Sequence, residues 1–182
     1  EDDEISPEQL HDPFEKALRE GHLIPVCFTS ASTGVGISEL LGIIGKLLPN
    51  PSEGNPPRFI NGYGDDALPI QVSANADEHV LAHVFDVDFD PFVGRQAMLR
   101  VHQGTIQKDG QLFVGDARKP IKVGNLSSPL GKDMRERSRA VPGDIMMLSK
   151  VEGVGYDSVL HDSHDQDQIH LKALPLPTPM VG

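Results

Sequence analysis

The spacing of apolar and polar positions along this chain changes character twice. Ser6, Pro7 and Glu8 offer a helix cap, a first-turn proline and a first-turn acid, but Pro13 removes a backbone donor one turn later. The regular helix is therefore expected over Asp12 to Glu20, with Asp12 as cap, Pro13 at the first helical position and Gly21 as the stop. Leu23 to Thr29 then has the continuous apolar character of a buried parallel strand, in which Pro25 is tolerable only near the start or on an edge. A loop of small residues, Ser30 to Gly36, leads to a helix from Ser38 whose Leu40, Leu41, Ile44, Leu47 and Leu48 make one face. Helix, strand, loop, helix is the tail of an α/β unit, and a central strand needs partners that this sequence does not offer, so the segment reads as a remnant.

From Pro49 the composition becomes that of a linker, with prolines at 49, 51, 56 and 57 and a turn signal at Asn61-Gly62-Tyr63-Gly64. Beyond it the period shortens to two. Strands are expected over His79–Val87, Arg95–Gln103, Gln111–Val114, Ile121–Leu126 and Asp144–Val151, punctuated by Asp90-Pro91, Gly104, Lys108-Asp109-Gly110, Gly131 and Pro142-Gly143. Short strands at this spacing predict a small closed β-barrel of six or seven strands, making the fold mainly β. Pro175, Pro177 and Pro179 remove ladder donors from the end of the chain, which reads as an extended linker. The expected organisation is an α/β remnant over residues 1–50, a Pro/Gly-rich linker and lead-in over 51–78, the barrel over 79–172, and a linker to a further domain over 173–182.

Charge adds a partition. The net charge is -11, yet residues 95–150 carry 11 basic against 5 acidic side chains while residues 1–94 carry 4 against 17. A basic middle in an acidic chain suggests an anionic partner met locally, the alternative being a solvated polar face. The single cysteine, Cys27, excludes a disulfide framework and fits a reducing compartment. The N-terminal Glu1-Asp2-Asp3-Glu4 is the opposite of a cationic signal region, and no apolar run approaches the roughly 20 residues of a membrane helix. A soluble, cytoplasmic protein is expected.

Several strings together carry a family resemblance: Ile24-Pro25-Val26-Cys27-Phe28-Thr29-Ser30-Ala31, Leu47-Leu48-Pro49-Asn50-Pro51, Phe89-Asp90-Pro91-Phe92-Val93-Gly94-Arg95, Arg100-Val101-His102-Gln103-Gly104-Thr105-Ile106, and Pro142-Gly143-Asp144-Ile145. In order and spacing the chain resembles bacterial elongation factor G over nearly its whole length. The resemblance implies the end of a P-loop GTPase domain followed by the translation-factor barrel, with entry to the third domain at Leu176 to Met180. It implies that Ser30, Ala31 and Ser32 occupy the fifth guanine-nucleotide motif, where backbone N–H groups approach the guanine oxygen. It further implies GTP or GDP with magnesium in the parent protein, a cytoplasmic ribosomal partner comprising small-subunit rRNA and proteins, the parent's other domains as partners, and neither DNA nor membrane. Ser32-Thr33-Gly34-Val35-Gly36 and Tyr156-Asp157-Ser158-Val159-Leu160 depart from the standard pattern and resemble elongation-factor-G-like paralogues, which leaves a regulatory or resistance role open beside translocation or recycling.

A GTPase needs a Gly-rich phosphate loop with its Lys and Ser/Thr, a magnesium-linked Asp and an Asn-Lys-x-Asp string. These 182 residues contain none of them, so no catalytic residue is expected and no cofactor on this chain alone. For ribosome contact the candidates are Arg118, Lys119, Lys132, Arg135, Arg137 and Arg139, as phosphate ligands whose affinity falls with salt. The alternative is a solvated loop in which Glu136 pairs locally. Phe89, Phe92 and Phe113 stand at core-like positions, so base stacking on the barrel is not expected. A barrel serving as a protein-interaction module is the rival reading. The polar run His161 to His170 is expected to be a surface loop and not a metal site, and Asp86, Asp88 and Asp90 to share the outward face of their strand.

Overall fold

The computed structural model describes residues 7–51, 57–163 and 168–173. The chain divides between Asn55 and Pro56 into two units.

The first unit holds α1, Pro7–Arg19, and α2, Ile37–Leu47, packed on one another. Helix α1 starts at Pro7, earlier than expected, and carries Pro13 inside it. Glu15 bridges Arg19 at 3.5 Å, and Lys16 and Arg19 sit in the last turn, where cations complement the exposed carbonyls. Residues 23–29 form no regular element, and no described strand pairs with them. The expected buried strand is therefore corrected: Ile24, Val26 and Phe28 are exposed, because a parallel strand is buried only between neighbours and helices that cover it. Leu41, Ile44 and Leu48 of the α2 segment are exposed likewise.

The second unit is β. Its strands are β1 (Phe59–Asn61), β2 (Leu68–Pro69), β3 (Leu81–Asp90), β4 (Gly94–Gln103), β5 (Ile106–Gln107), β6 (Gln111–Val114), β7 (Ile121–Lys122), β8 (Asn125–Leu130), β9 (Asp133–Glu136), β10 (Arg139–Ala140), β11 (Ile145–Ser149), β12 (Val159–His161) and β13 (Ile169–Leu171). Eight of them form an antiparallel sheet in the order β7-β6-β12-β3-β4-β11-β8-β9, which curls into a half-barrel. The sheet is open at β7 and β9, where a closed barrel was expected, but the β5–β10 ribbon ties the chain before β6 to the chain after β9. A third sheet, β13-β1-β2, recruits part of the segment expected to be linker.

Alternation drives the burial. Ala82 and Val84 on β3, Ala97, Leu99 and Val101 on β4, Leu126 on β8, Met146 and Leu148 on β11 and Leu160 on β12 point into one core. The β3–β4 register shifts between Val84 and Asp86, and this bulge inverts the parity of β3. Val87 then packs on the core, while Asp86 and Asp88, in step with Ala82 and Val84 by count alone, are exposed. On the opposite face of β3, Leu81 joins Phe59, Val159 and Ile169 in a second cluster, so the start of β3 is buried on both sides.

The expected strand over Ile121–Leu126 is two strands. At Val123 the chain leaves β6, whose partner is β7, and joins β11 through β8; Val123 is fully buried and its N–H donates to the Gly110 carbonyl at 2.9 Å.

Candidate functional site

The loop from Ser30 to Gly36 is a tight, self-bonded turn. Gly34 N–H donates to the Ser30 carbonyl at 2.8 Å, Ser30 N–H to the Val35 carbonyl at 2.9 Å, and the Ser30 and Ser32 hydroxyls lie 3.2 Å apart. Gly36 caps α2 at φ 75°, and a Cβ there would stand 2.3 Å from the Phe28 carbonyl oxygen, so only glycine lets the loop close onto the segment before it. The amides of Ala31 and Ser32 have no acceptor in this hydrogen bonding, and both residues are exposed. Two free donors beside a small side chain suit the edge of a planar base carrying an oxygen.

The basic candidates do not form one patch. Strands β6 and β3 both run antiparallel to β12, so β6 leads into the turn bearing Arg118 and Lys119 in the direction of the Asp90 end, from a rung level with Ala82. Strand β8 runs away from that end, which puts Lys132, in the β8–β9 turn, at the opposite one. Arg135 lies on the edge strand β9, Arg137 follows it and Arg139 is on β10 of the β5–β10 ribbon, all exposed and with no ion-pair partner among the described residues. Glu136 does pair, with Lys108 across the β5–β10 side, and this contact raises the Lys108 pKa through its hydrogen bond and charge. Lys122 bridges Asp109 at 2.8 Å, which lowers the Asp109 carboxyl pKa in the same manner. Glu136 and Asp109 are thus taken up by lysines, while Asp133 and the arginines are exposed.

The placing of the aromatics differs from expectation. Phe89 is 71% and Phe92 96% exposed. The last rung of β11 on β4 is Ser149 opposite Gln96, so the β3–β4 hairpin extends past β11, and Phe89, opposite Arg95, is left exposed. The tip is nevertheless ordered by chemistry: Asp90 Oδ1 accepts from the N–H groups of Phe92 at 2.7 Å and Val93 at 2.8 Å. It projects beside a shallow cavity of about 840 Å³ lined by Val87, Arg95, Lys150 and Glu152.

Sequence reasoning also missed a histidine cluster. His102 on β4 is 9% exposed, meets Phe59 edge-on at 5.2 Å, and has no partner for Nε2. Burial lowers its pKa to about 4, assisted by the charges of His83 and Arg100. His83 Nε2 lies 2.9 Å from Asp157. His161, expected in a surface loop, is instead a buried residue of β12 whose Nε2 bonds the Gly115 carbonyl at 2.7 Å. Residues 164–167 of that polar run, with Ser6 and the proline-rich end from Leu174, lie outside the described residues. Among the described residues no three metal-ligating side chains gather, and no helix is long and apolar enough to cross a membrane.

Comparison with known proteins agrees with this architecture. Residues 79–157 match the family model of elongation factor G domain 2. An elongation factor G-like protein of Mycobacterium tuberculosis is 30% identical over 97% of this chain and 26% of its own length. Elongation factor G of Chlamydia trachomatis is 26% identical over 98% of this chain and 25% of its length. A crystal structure of a Thermus thermophilus protein superposes with a TM-score of 0.65 at 28% identity, covering 98% of this chain and 24% of the other. The chain thus spans about a quarter of the length of these relatives. With a half-barrel that matches domain 2 and relatives aligned across both units, the chain belongs to the elongation factor G and elongation factor G-like family.

Proposed function

We propose that this chain is the part of a cytoplasmic translational GTPase in which the half-barrel braces the factor on the small ribosomal subunit. The observation that carries the reading is the set of three arginines close in sequence, Arg135 on the edge strand β9, Arg137 after it and Arg139 on β10, all exposed and without ion-pair partners among the described residues. Arginine forks suit phosphate oxygens, and three such contacts release counterions on binding, so affinity falls steeply with salt. Lys132, in the β8–β9 turn, precedes them; Arg118 and Lys119, on the β6–β7 turn, serve a separate contact or none. The Ala31 and Ser32 amides, with Ser30 holding the turn, contribute one edge of a guanine pocket whose phosphate- and magnesium-binding parts belong to the rest of the GTPase. Bound GTP supplies the energy of a domain rearrangement there; the role of these residues is to orient the base. The parent acts in GTP-dependent translocation or ribosome recycling.

Cosedimentation with purified small ribosomal subunits across a salt series tests this. Binding should weaken with salt, and changing Arg135, Arg137 and Arg139 to Ser should reduce the salt slope by about two to three. Changing Arg118 and Lys119 to Ser should leave it nearly intact. Binding that ignores both salt and the triple change would refute the phosphate reading. It would favour a second one, a protein partner at the apolar β3–β4 tip, whose Phe89 and Phe92 are exposed beside Asp86 and Asp88.

A further inference from the structure

The turn after β1 reads Asn61-Gly62, the dipeptide in which a glycine nitrogen, shielded by no side chain, can attack the preceding carboxamide. In this fold Gln168 contacts both reacting groups. Asn61 Oδ1 accepts from the Gln168 N–H at 3.1 Å, and the Gly62 N–H donates to the Gln168 carbonyl at 3.0 Å. The first contact fixes the carboxamide against the partner strand; the second occupies the proton that must leave before the nitrogen can act as nucleophile. We propose that Asn61-Gly62 is a latent deamidation site, kept unreactive by Gln168 and exposed to reaction when the end of the β1–β13 ladder opens.

The reaction balances without a co-reactant beyond water. Gly62 nitrogen loses its proton and bonds Asn61 Cγ, the side-chain nitrogen leaves as ammonia, and a five-membered succinimide remains. Water opens it at either carbonyl, giving aspartate or isoaspartate. The two products differ in consequence. Aspartate keeps an oxygen where Gln168 N–H expects one. Isoaspartate inserts a carbon into the backbone and moves that oxygen, which breaks the Asn61↔Ile169 and Asn61↔Leu68 pairings at the end of β1 while Phe59 stays anchored in its cluster.

The ladder is suited to such gating because it is short. Strand β1 makes three pairs with β13 and two with β2, and the reactive bond lies beyond the last of them. Opening of a terminal rung needs far less free energy than global unfolding. Since Gln168 makes both contacts, its departure removes them together.

The test is peptide mapping by mass spectrometry of the full chain incubated at neutral pH, with isoaspartate scored by protein-isoaspartate methyltransferase. In urea the site should deamidate readily; in the native chain it should react at least about tenfold more slowly. Gln168→Pro, which deletes the N–H donor, should accelerate the native reaction, and Gln168→Ala, which keeps both backbone contacts, should not. Ile169→Ala, which loosens β13 without touching either contact, should also accelerate it, and serves if the proline variant does not fold. A native rate equal to the rate in urea, no reaction in urea, or no acceleration in either loosened variant overturns the proposal.

Discussion

Acid should destabilise the half-barrel through His102, by an amount that the burial of this one ring sets. Its imidazole is 9% exposed, with Phe59 at its edge, His83 at 6.5 Å between ring centres, and Nε2 without a partner. Removal from water disfavours the cation first, and the nearby positive charges of His83 and Arg100 add to that, which holds the pKa at about 4 against an ordinary 6.5. The folded state therefore stays neutral where the unfolded chain has already taken up a proton. Stability from this group is complete above about pH 6.5 and is lost as pH falls towards 4, at up to about 1.4 kcal/mol per pH unit. Allowing for relaxation around a protonated ring, the loss by about pH 4.5 should be about 2 kcal/mol. Urea denaturation followed by circular dichroism over this range measures it, with His102→Leu as the reference that cannot titrate. Carboxylates contribute equally to both proteins, so the difference in pH slope isolates the ring. Equal slopes in parent and variant between about pH 6.5 and 4.5 would refute the argument. So would an NMR titration placing His102 near 6.5 in the folded protein.

Two further changes test the packing of the half-barrel. A Cβ on Gly104, at φ 72°, would lie 2.6 Å from the Val80 backbone nitrogen and Cα, so Gly104→Ala should cost at least about 2 kcal/mol in urea melts, and a cost below about 0.5 would mean that the close approach is absent. Leu99, fully buried between β3 and β11, should cost about 2–5 kcal/mol on change to Ala by the same measurement, and a near-neutral result would contradict its place in the core.

The elements legible in the sequence are those whose burial follows a fixed period. Gln111–Val114 was expected as it stands, and the β3–β4 hairpin to within a few residues, because the inward positions on both strands are apolar around an Asp-Pro and Gly turn. Strand β9 was not legible: Asp133, Met134, Arg135 and Glu136 are all exposed and carry no alternation, since the strand pairs by backbone on the open side of the sheet. The end of strand β12 fell inside a loop expectation that began at His161, since a histidine closing a three-residue strand carries no apolar alternation. Phe89 was misplaced for a different reason. Period two fixes which face a side chain shares but not whether the sheet extends far enough to cover it, and coverage here is set by the length of β11. The run Leu23–Thr29 shows the same limit in the first unit, where apolar character alone could not supply a neighbouring strand.

That distinction between face and coverage also governs the candidate contacts. Six basic residues fall within a span of 22 positions, in two turn regions whose relation in space the sequence does not give. Antiparallel connection supplies it: each hairpin reverses direction, so Arg118 and Lys119 on the β6–β7 turn and Lys132 on the β8–β9 turn are carried in opposite directions along the sheet. What remains together is the run from β9 to β10. Glu136, set among these arginines, would cancel part of their charge, but Lys108 holds it from the neighbouring ribbon. The same ion pair that joins the open side to β5 therefore leaves Arg135, Arg137 and Arg139 available to a phosphate backbone. The link between fold and proposed function lies in that pairing, since a loss of Lys108 would free Glu136 to compete with RNA for the arginines.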